Sequence, residues 1–482
     1  TRGDSWIDID GGISTLFVYS SKGRREMPND HVYLDGPPEI LSRNGTFVGQ
    51  HVFLPRLGAA VHINAFNFPC WGMLEKLAPA VLAGVPAIVK PASSTSYLTE
   101  AVVQRIVTSG ILPEGSLQLI CGGVGDLFDH LTSQDTVAFT GSKSTAEKLQ
   151  QHPRVVGHAV RFTAETDSLN ASILGPDAVP GTPEFDLFIN EVKREMISKA
   201  GQKCTAIRRI IAPAAVSADL VRALSAELGK VRIGNPAGDV DMGALASLGQ
   251  RDEVRARVEQ LTADADVVYG NDERFEVTDA DAKKGAFFMP TLLFCKRPLS
   301  SSSVHSVEAF GPVSTVLPYE NLDEAIELAR LGDGSLVGSI VTNDNDIARE
   351  LVLGMAPWHG RLLVINRHCA GESTGHGSPL PHLVHGGPGR AGGGEELGGV
   401  RGVLHYMQRT ALQGSPQTLS HIGRRWILGA EANDTDVHAF RKTFEQLQIG
   451  DTVRTGPREI SLDDIDHFAK FTGDEFYAHM DE

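Results

Sequence analysis

A cysteine in the stretch Gly201-Gln202-Lys203-Cys204-Thr205-Ala206 is the side chain of this sequence best placed for covalent chemistry. A polar–apolar helical pattern over residues 183–199 runs into the stretch. A β-prone run, Ile207-Arg208-Arg209-Ile210-Ile211, leaves it. The pattern predicts a glycine-initiated loop between a helix and a strand, where a rigid scaffold can aim a thiolate at an electrophile. Taken alone, Cys204 reads first as a small buried apolar residue, the usual fate of a free cysteine. Glu165, in Ala164-Glu165-Thr166-Asp167-Ser168-Leu169-Asn170, is a candidate general base if burial raises its pKa. By itself it reads as a solvated turn residue. Thr140-Gly141-Ser142 is a strand-to-helix turn whose free N–H groups and helix dipole favour an anion. An ordinary N-cap competes with that reading. Gly122-Gly123-Val124-Gly125 follows a strand but lacks the dinucleotide fingerprint.

His368, His376, His382 and His385 lie in or beside a segment, 371–402, rich in Gly and Pro. Their spacing fits no usual ligand set, and no cysteine or carboxylate pair completes one. The expectation is a packed, ordered loop and no metal. The five cysteines form no close pair either. With no secretion signal, they point to a reduced, cytoplasmic setting.

The elements that must position these residues alternate in type. From residue 58, strands are expected at 59–63, 87–89, 117–120 and 136–139, with helices at 73–83 and 99–109 between them. Alternation means a parallel, doubly wound sheet, with ligands at the carboxyl ends of its strands. A second strand–helix set follows to residue 385, including a helix at 244–261 and strands at 336–342 and 362–366. Residues 1–50 read as turn-rich with short β-prone pieces, Ser14-Thr15-Leu16-Phe17-Val18-Tyr19 among them. After a linker at 413–418 the composition shifts. An amphipathic stretch (438–447), a strand opening (450–453) and a capped helix start at 460–469 are expected there. The 482 residues exceed one core, and a net charge of -16 argues against nucleic acid as the main partner. No apolar run reaches membrane-spanning length. The chain starts at Thr1 and stops at Asp481-Glu482, and both ends read as cut from a longer protein.

Asn64-Ala65-Phe66-Asn67-Phe68-Pro69, Val89-Lys90-Pro91-Ala92, Phe139-Thr140-Gly141-Ser142, Gly201-Gln202-Lys203-Cys204 and Glu308-Ala309-Phe310-Gly311-Pro312 together resemble the aldehyde dehydrogenase superfamily, over residues 50–410. The C-terminal Phe468-Ala469-Lys470-Phe471-Thr472-Gly473-Asp474-Glu475-Phe476-Tyr477-Ala478-His479-Met480-Asp481 resembles the start of a MaoC-type hydratase. The pairing is similar to the bifunctional ring-opening enzymes of phenylacetate degradation. The resemblance implies an α/β aldehyde dehydrogenase fold, a doubly wound cofactor domain plus an α/β catalytic domain, followed by an incomplete hot-dog domain. It implies a cofactor-binding domain with oligomerisation strands at 1–165, its N-terminal part missing, and a catalytic domain at 166–385. A return segment at 386–412, a linker at 413–435 and a truncated hydratase domain at 436–482 follow.

By the same resemblance Cys204 is the nucleophile, Asn67 helps hold the oxyanion, and Glu165 activates the hydrolytic water. Lys90 and Glu308 match ribose-binding positions, Phe310 lies in the same motif, and Ser142 faces the pyrophosphate beside Thr140 and Gly141. Where NAD-preferring relatives often carry Glu, this chain has Ser93, which removes repulsion of a 2′-phosphate. NADP is therefore expected, with NAD possible. Asp474 and His479 match the water-activating pair of MaoC-type hydratases, in a fragment too short to complete that domain. The implied partner is a CoA-thioester aldehyde, and the implied assembly a homo-oligomer built on dimers. Two other readings stand: a semialdehyde dehydrogenase of another aromatic-CoA pathway, and a non-catalytic scaffold for a hydratase.

Overall fold

The computed structural model describes residues 1–272, 274–433, 439–452 and 457–474. It divides into one unit of Thr1–His31 with Phe53–Gln408 and another of Val32–Val52 with Arg409–Glu482.

The first unit contains a five-stranded and a seven-stranded sheet, besides a short two-stranded hairpin. In one, five parallel strands, β1 (Ala60–Ile63), β2 (Ala87–Lys90), β3 (Leu117–Leu119), β4 (Thr136–Thr140) and β5 (Arg161–Glu165), lie in the order β3-β2-β1-β4-β5. Chain direction across the sheet reverses between β1 and β4, which opens a crevice at their carboxyl ends. Apolar side chains cover both faces: Met73, Leu74 and Val103 on one, Phe128, Val155 and Phe139 on the other. In the second sheet, β6 (Ala171–Leu174), β7 (Arg209–Pro213), β8 (Asp266–Tyr269), β9 (Thr291–Phe294), β10 (Val313–Tyr319), β11 (Ser335–Val341) and β12 (His359–Ile365) run in the order β8-β9-β10-β7-β6-β11-β12. Only the β8–β9 pair is antiparallel. The central strands are buried and mostly apolar, as a sheet covered on both faces requires, with Arg209, Ser172, Ser314, Ser335 and Ser339 among the buried polar exceptions.

From residue 58 the expected strands and helices appear within a few residues of their expected bounds. The N-terminal expectation fails. Residues 14–19, read as a strand piece, lie inside a 25-residue helix, α1 (Arg2–Glu26). Thr1 and Asp4 close a capping box at its start, and Asp8, Gly12, Thr15 and Tyr19 form its buried stripe. The stripe packs on α2 (Trp71–Leu82), so closely that a Cβ on Gly11 would come within 2.3 Å of the Trp71 ring. What reads locally as a turn glycine is thus a helix-crossing glycine, and packing overrides the β-prone run. The Asp8 carboxylate accepts from Trp71 N at 2.9 Å and so caps α2. Asp4 accepts from Lys199 N at 2.7 Å, tying α1 to the segment before Cys204.

In the second unit, strands Tyr33–Ile40, Val48–Pro55 and Met407–Gly414 form a three-stranded sheet, with Val48, Leu412, Leu419 and Ile427 as a small core. Within the amphipathic stretch, whose His438 lies outside the described residues, two short 3-10 turns form, Ala439–Arg441 and Phe444–Gln446. Thr443 and Gln446 cap each other and close the second turn at once. The expected strand opening amounts to one bridge, Asn433 with Asp451, and Val453 lies outside the described residues. The capped helix is present as Leu462–Thr472, started by the Ser461–Asp464 box and ended by left-handed Gly473.

Candidate active site

The helix α3 (Pro183–Ile197) leads into the Cys204 loop through three successive left-handed residues, Lys199, Ala200 and Gly201 (φ 50°, 52° and 68°). Left-handed backbone costs roughly 1–2 kcal/mol at each non-glycine position, so surrounding contacts must hold it. At Gly201 a Cβ would lie 2.3 Å from the Gly311 carbonyl oxygen, which excludes any side chain there.

The loop after it is pinned by side chains. The Asn170 amide donates to the carbonyls of Cys204 (2.7 Å) and Ala206 (3.0 Å), while its own oxygen accepts from Ser168 Oγ and Val337 N. Thr205 donates to Gly377 O at 2.9 Å, and buried Lys203 pairs with Glu195 at 2.8 Å. The buried Arg208 guanidinium donates to Gly201 O, Lys203 O and Gly311 O, and lies 3.4 Å from Glu308. The Asn67 amide donates to Gln202 O at 3.2 Å, two residues before Cys204.

Glu165 ends β5 and is buried, not a solvated turn residue. It meets His385 Nε2 at 3.2 Å, and its carboxylate, Cys204 Sγ and a His385 ring nitrogen lie within 4.8 Å of one another. Burial pushes the Cys204 thiol well above its ordinary range, and the Glu165 charge with its hydrogen bond to the thiol pushes further. Burial also opposes charge on Glu165, yet His385 and Lys76 outweigh it and hold this carboxyl down at about 2. Burial works against the cationic form of His385 too, but Glu165 raises its pKa. The resting thiol proton therefore sits on sulfur, with the Glu165 carboxylate paired to His385 beside it. Beneath lie Glu75, pushed by burial to about 7, and Lys76, 2.9 Å from Glu396.

Two recesses meet at Cys204. A narrow one of about 460 Å³ runs past Phe68, Trp71, Glu75 and His385. A wider cleft of about 1580 Å³ holds Thr140, Gly141, Ser142, Glu308 and Phe310, and both include Asn67, Glu165 and Cys204. The wide cleft suits a dinucleotide. Thr140 Oγ1 and both polar atoms of the Asn64 amide are buried without partners at the carboxyl ends of β4 and β1. Ser142 precedes the helix Lys143–Gln150 without capping it, and Asp167 takes the Lys143 N–H at 3.1 Å. Burial pushes the Glu308 carboxyl up to about 7 against the pull of Arg208. Lys90 ends β2 and Ser93 opens the exposed turn Ser93–Thr95; neither is among the residues lining the wide cleft. Asp474 directly follows Gly473, and His479 lies outside the described residues.

Sequence reasoning missed Asn170, Arg208, His385 and Glu396 as parts of the site. The segment expected to be a plain loop carries a hairpin, Val384–Gly386 with Glu395–Leu397, which delivers both His385 and Glu396. Gly394 N donates to Ala164 O at 3.2 Å, so the hairpin docks on the strand that presents Glu165.

A thiol, a buried carboxylate and a side-chain amide at the junction of a dinucleotide-sized cleft and a narrow recess define a thiol-dependent oxidoreductase site. The Aldehyde dehydrogenase family profile matches residues 4–411, and the chain belongs to that family. It is 47% identical over 389 residues to 3,4-dehydroadipyl-CoA semialdehyde dehydrogenase of Aromatoleum evansii, covering 80% of this chain and 75% of that one. It is 52% identical over 242 residues to Protein MaoC of Klebsiella aerogenes, covering 50% and 70%. Betaine aldehyde dehydrogenase of Staphylococcus aureus, solved with NAD+, shares the fold at TM-score 0.73 and 24% identity, over 86% of this chain and 78% of that one. No helix among the described residues is long and apolar enough to cross a membrane.

Proposed function

We propose that the chain oxidises the aldehyde of a CoA-linked semialdehyde to the acid, with NADP preferred and NAD accepted. The observation that carries this reading is the convergence of Cys204, Glu165 and Asn67 where the two recesses meet. The Aromatoleum evansii relative supports the substrate class through its own name. Thr140, Gly141, Ser142, Glu308 and Phe310 would hold the cofactor, which when bound supplies the hydride acceptor. Exposed Ser93, where NAD-preferring relatives often carry Glu, and Ser94 beside it support acceptance of a 2′-phosphate.

The chain's own groups act as follows. Cys204 loses its proton to solvent, and its thiolate attacks the aldehyde carbon, forming a thiohemiacetal. The Asn67 amide and the Cys204 N–H meet the developing oxyanion. Loss of hydride leaves a thioester on Cys204, and Glu165 takes a proton from the water that hydrolyses it. Because the resting thiol is held protonated, positive charge entering the junction favours the thiolate.

The MaoC likeness supports a bifunctional protein whose C-terminal domain, starting within 436–482, hydrolyses oxepin-CoA in phenylacetate degradation. The dehydrogenase substrate is then 3-oxo-5,6-dehydrosuberyl-CoA semialdehyde, and Asp474 and His479 are the water-activating pair. The domain bounds at 165 and 385, a cytoplasmic setting and a homo-oligomer built on dimers belong to the same reading. A second reading, a semialdehyde dehydrogenase of another aromatic-CoA pathway, is favoured by the substrate in the Aromatoleum relative's name. The test is NADP reduction with each CoA-semialdehyde beside a simple aliphatic aldehyde, for this protein and Cys204→Ala. The proposal expects activity on a CoA ester that Cys204→Ala abolishes. Activity confined to the aliphatic aldehyde contradicts the CoA assignment, and no activity on any aldehyde returns the scaffold reading.

A further inference from the structure

We infer that Cys204, Glu165 and His385 also form a site for a divalent transition-metal cation, Zn2+ above all, whose occupancy silences the thiol. One sulfur, one nitrogen and one oxygen donor lie mutually within 4.8 Å, and the His385–Glu165 pair is already at 3.2 Å. A tetrahedral zinc with bonds of roughly 2.0–2.3 Å needs its donors roughly 3.3–3.8 Å apart, so side-chain adjustments of an ångström or less close the site. Thiolate, imidazole and carboxylate are each ordinary zinc ligands, and no single pair of them makes a site without the third.

The donor set rather than net charge selects the cation. Glu75, Glu165 and Glu396 bring their carboxylates within 4.8 Å of one another, Lys76 and His385 pair with them, and Arg361 and Lys203 add positive charge near His385 and Cys204. The Glu396 side chain is only 9% exposed, so water does little to screen this cluster. Access exists, because Cys204 is partly exposed and lines the wide cleft. His385 Nδ1 is buried without a partner, so no hydrogen bond in the described structure holds the ring to a tautomer that blocks Nε2.

Binding is an exchange without redox change. The S–H bond of Cys204 breaks, an S–Zn bond forms, and the proton passes to solvent. A second proton leaves if His385 enters as imidazolium. The sulfur lone pair is then committed to metal and cannot attack a carbonyl. The inference needs only these three side chains, not the substrate proposed above, so its readouts are taken without turnover.

The experiment titrates the full chain with Co2+ as spectroscopic probe and with Zn2+ in weak buffer. The expected result is one equivalent bound, a cobalt–thiolate charge-transfer band and proton release on zinc binding. Cys204→Ser should abolish the band, and His385→Gln should weaken affinity by about tenfold or more. Cys121→Ser and Cys369→Ser, which change exposed thiols outside the site, should leave both unchanged. Should His385→Gln fail to fold, protection decides: Zn2+ should shield Cys204, but not Cys369, from iodoacetamide, reversibly by chelation. A band that survives Cys204→Ser, an affinity unmoved by a folded His385→Gln, or absent protection of Cys204 overturns the inference.

Discussion

Around Cys204 the polar groups of the loop already have partners inside the protein, whereas around Thr140 and Asn64 several have none. Asn170 satisfies the carbonyls of Cys204 and Ala206, and Arg208 satisfies those of Gly201, Lys203 and Gly311. Thr140 Oγ1, which lines both recesses, and the Asn64 amide, which lines the narrow one, are buried and unpaired, and in the wide cleft Ser142 leaves its helix uncapped by its own hydroxyl. A buried unpaired polar group costs about 1–3 kcal/mol, which makes such atoms candidates for a ligand's partners. The Cys204 loop is thus preorganised, whereas the recesses beside it keep polar atoms free for a ligand. Substitutions in the first region should damage rate and fold together; those in the second should act on cofactor affinity.

The largest effect expected from this contrast is at Asn170. Asn170→Ala leaves two carbonyls flanking the nucleophile without their donor, at about 1–3 kcal/mol each. A displaced loop should lower kcat by about 100-fold with little change in cofactor KM. Steady-state kinetics with thermal unfolding check this, and a change confined to KM would break the contrast. A smaller effect is expected at Glu308→Gln, where cofactor KM should rise about tenfold, worth about 1.4 kcal/mol, with kcat nearly kept. Titration of NADP against initial rate measures it, and an unchanged KM removes Glu308 from the cleft's function.

The mildest test compares thiols rather than variants. Burial and Glu165 raise the Cys204 pKa, so the thiolate is scarce at neutral pH and grows as pH rises through and beyond the ordinary thiol range. Exposed Cys369 lacks such surroundings. Iodoacetamide should therefore modify Cys369 faster than Cys204 at neutral pH in the cofactor-free protein, with the Cys204 rate climbing further at alkaline pH. Peptide mass spectrometry reads both rates. A Cys204 faster than Cys369 at neutral pH contradicts the resting proton assignment.

How much of this was legible in sequence follows from where each contact lies along the chain. The strands from residue 60 to 140 and the loop at Cys204 announce themselves through local apolar runs and punctuation by Gly and Pro. Glu165 stands out only by residue type, since its burial depends on a hairpin more than 200 residues later. Asn170 reaches Cys204 across 34 residues, and no periodicity reports such a bond. His385 and Glu396 sit in a glycine-rich segment whose composition reads as loop, because its order comes from docking on β5. Helix α1 was hidden for a related reason: Gly11, Gly12 and β-branched residues weaken its local signal, and contact with α2 restores it.

The central claim is that Cys204 carries the substrate as a thioester that Glu165 releases. The direct measurement is intact-protein and peptide mass spectrometry of Glu165→Gln after exposure to CoA-semialdehyde and NADP. The account predicts an added mass equal to the acyl group on the peptide containing Cys204, with reduction of about one NADP per site, followed by turnover at least about 100-fold slower than in the unsubstituted protein. An unmodified Cys204 peptide, in a variant that still turns over at the original rate, would contradict it.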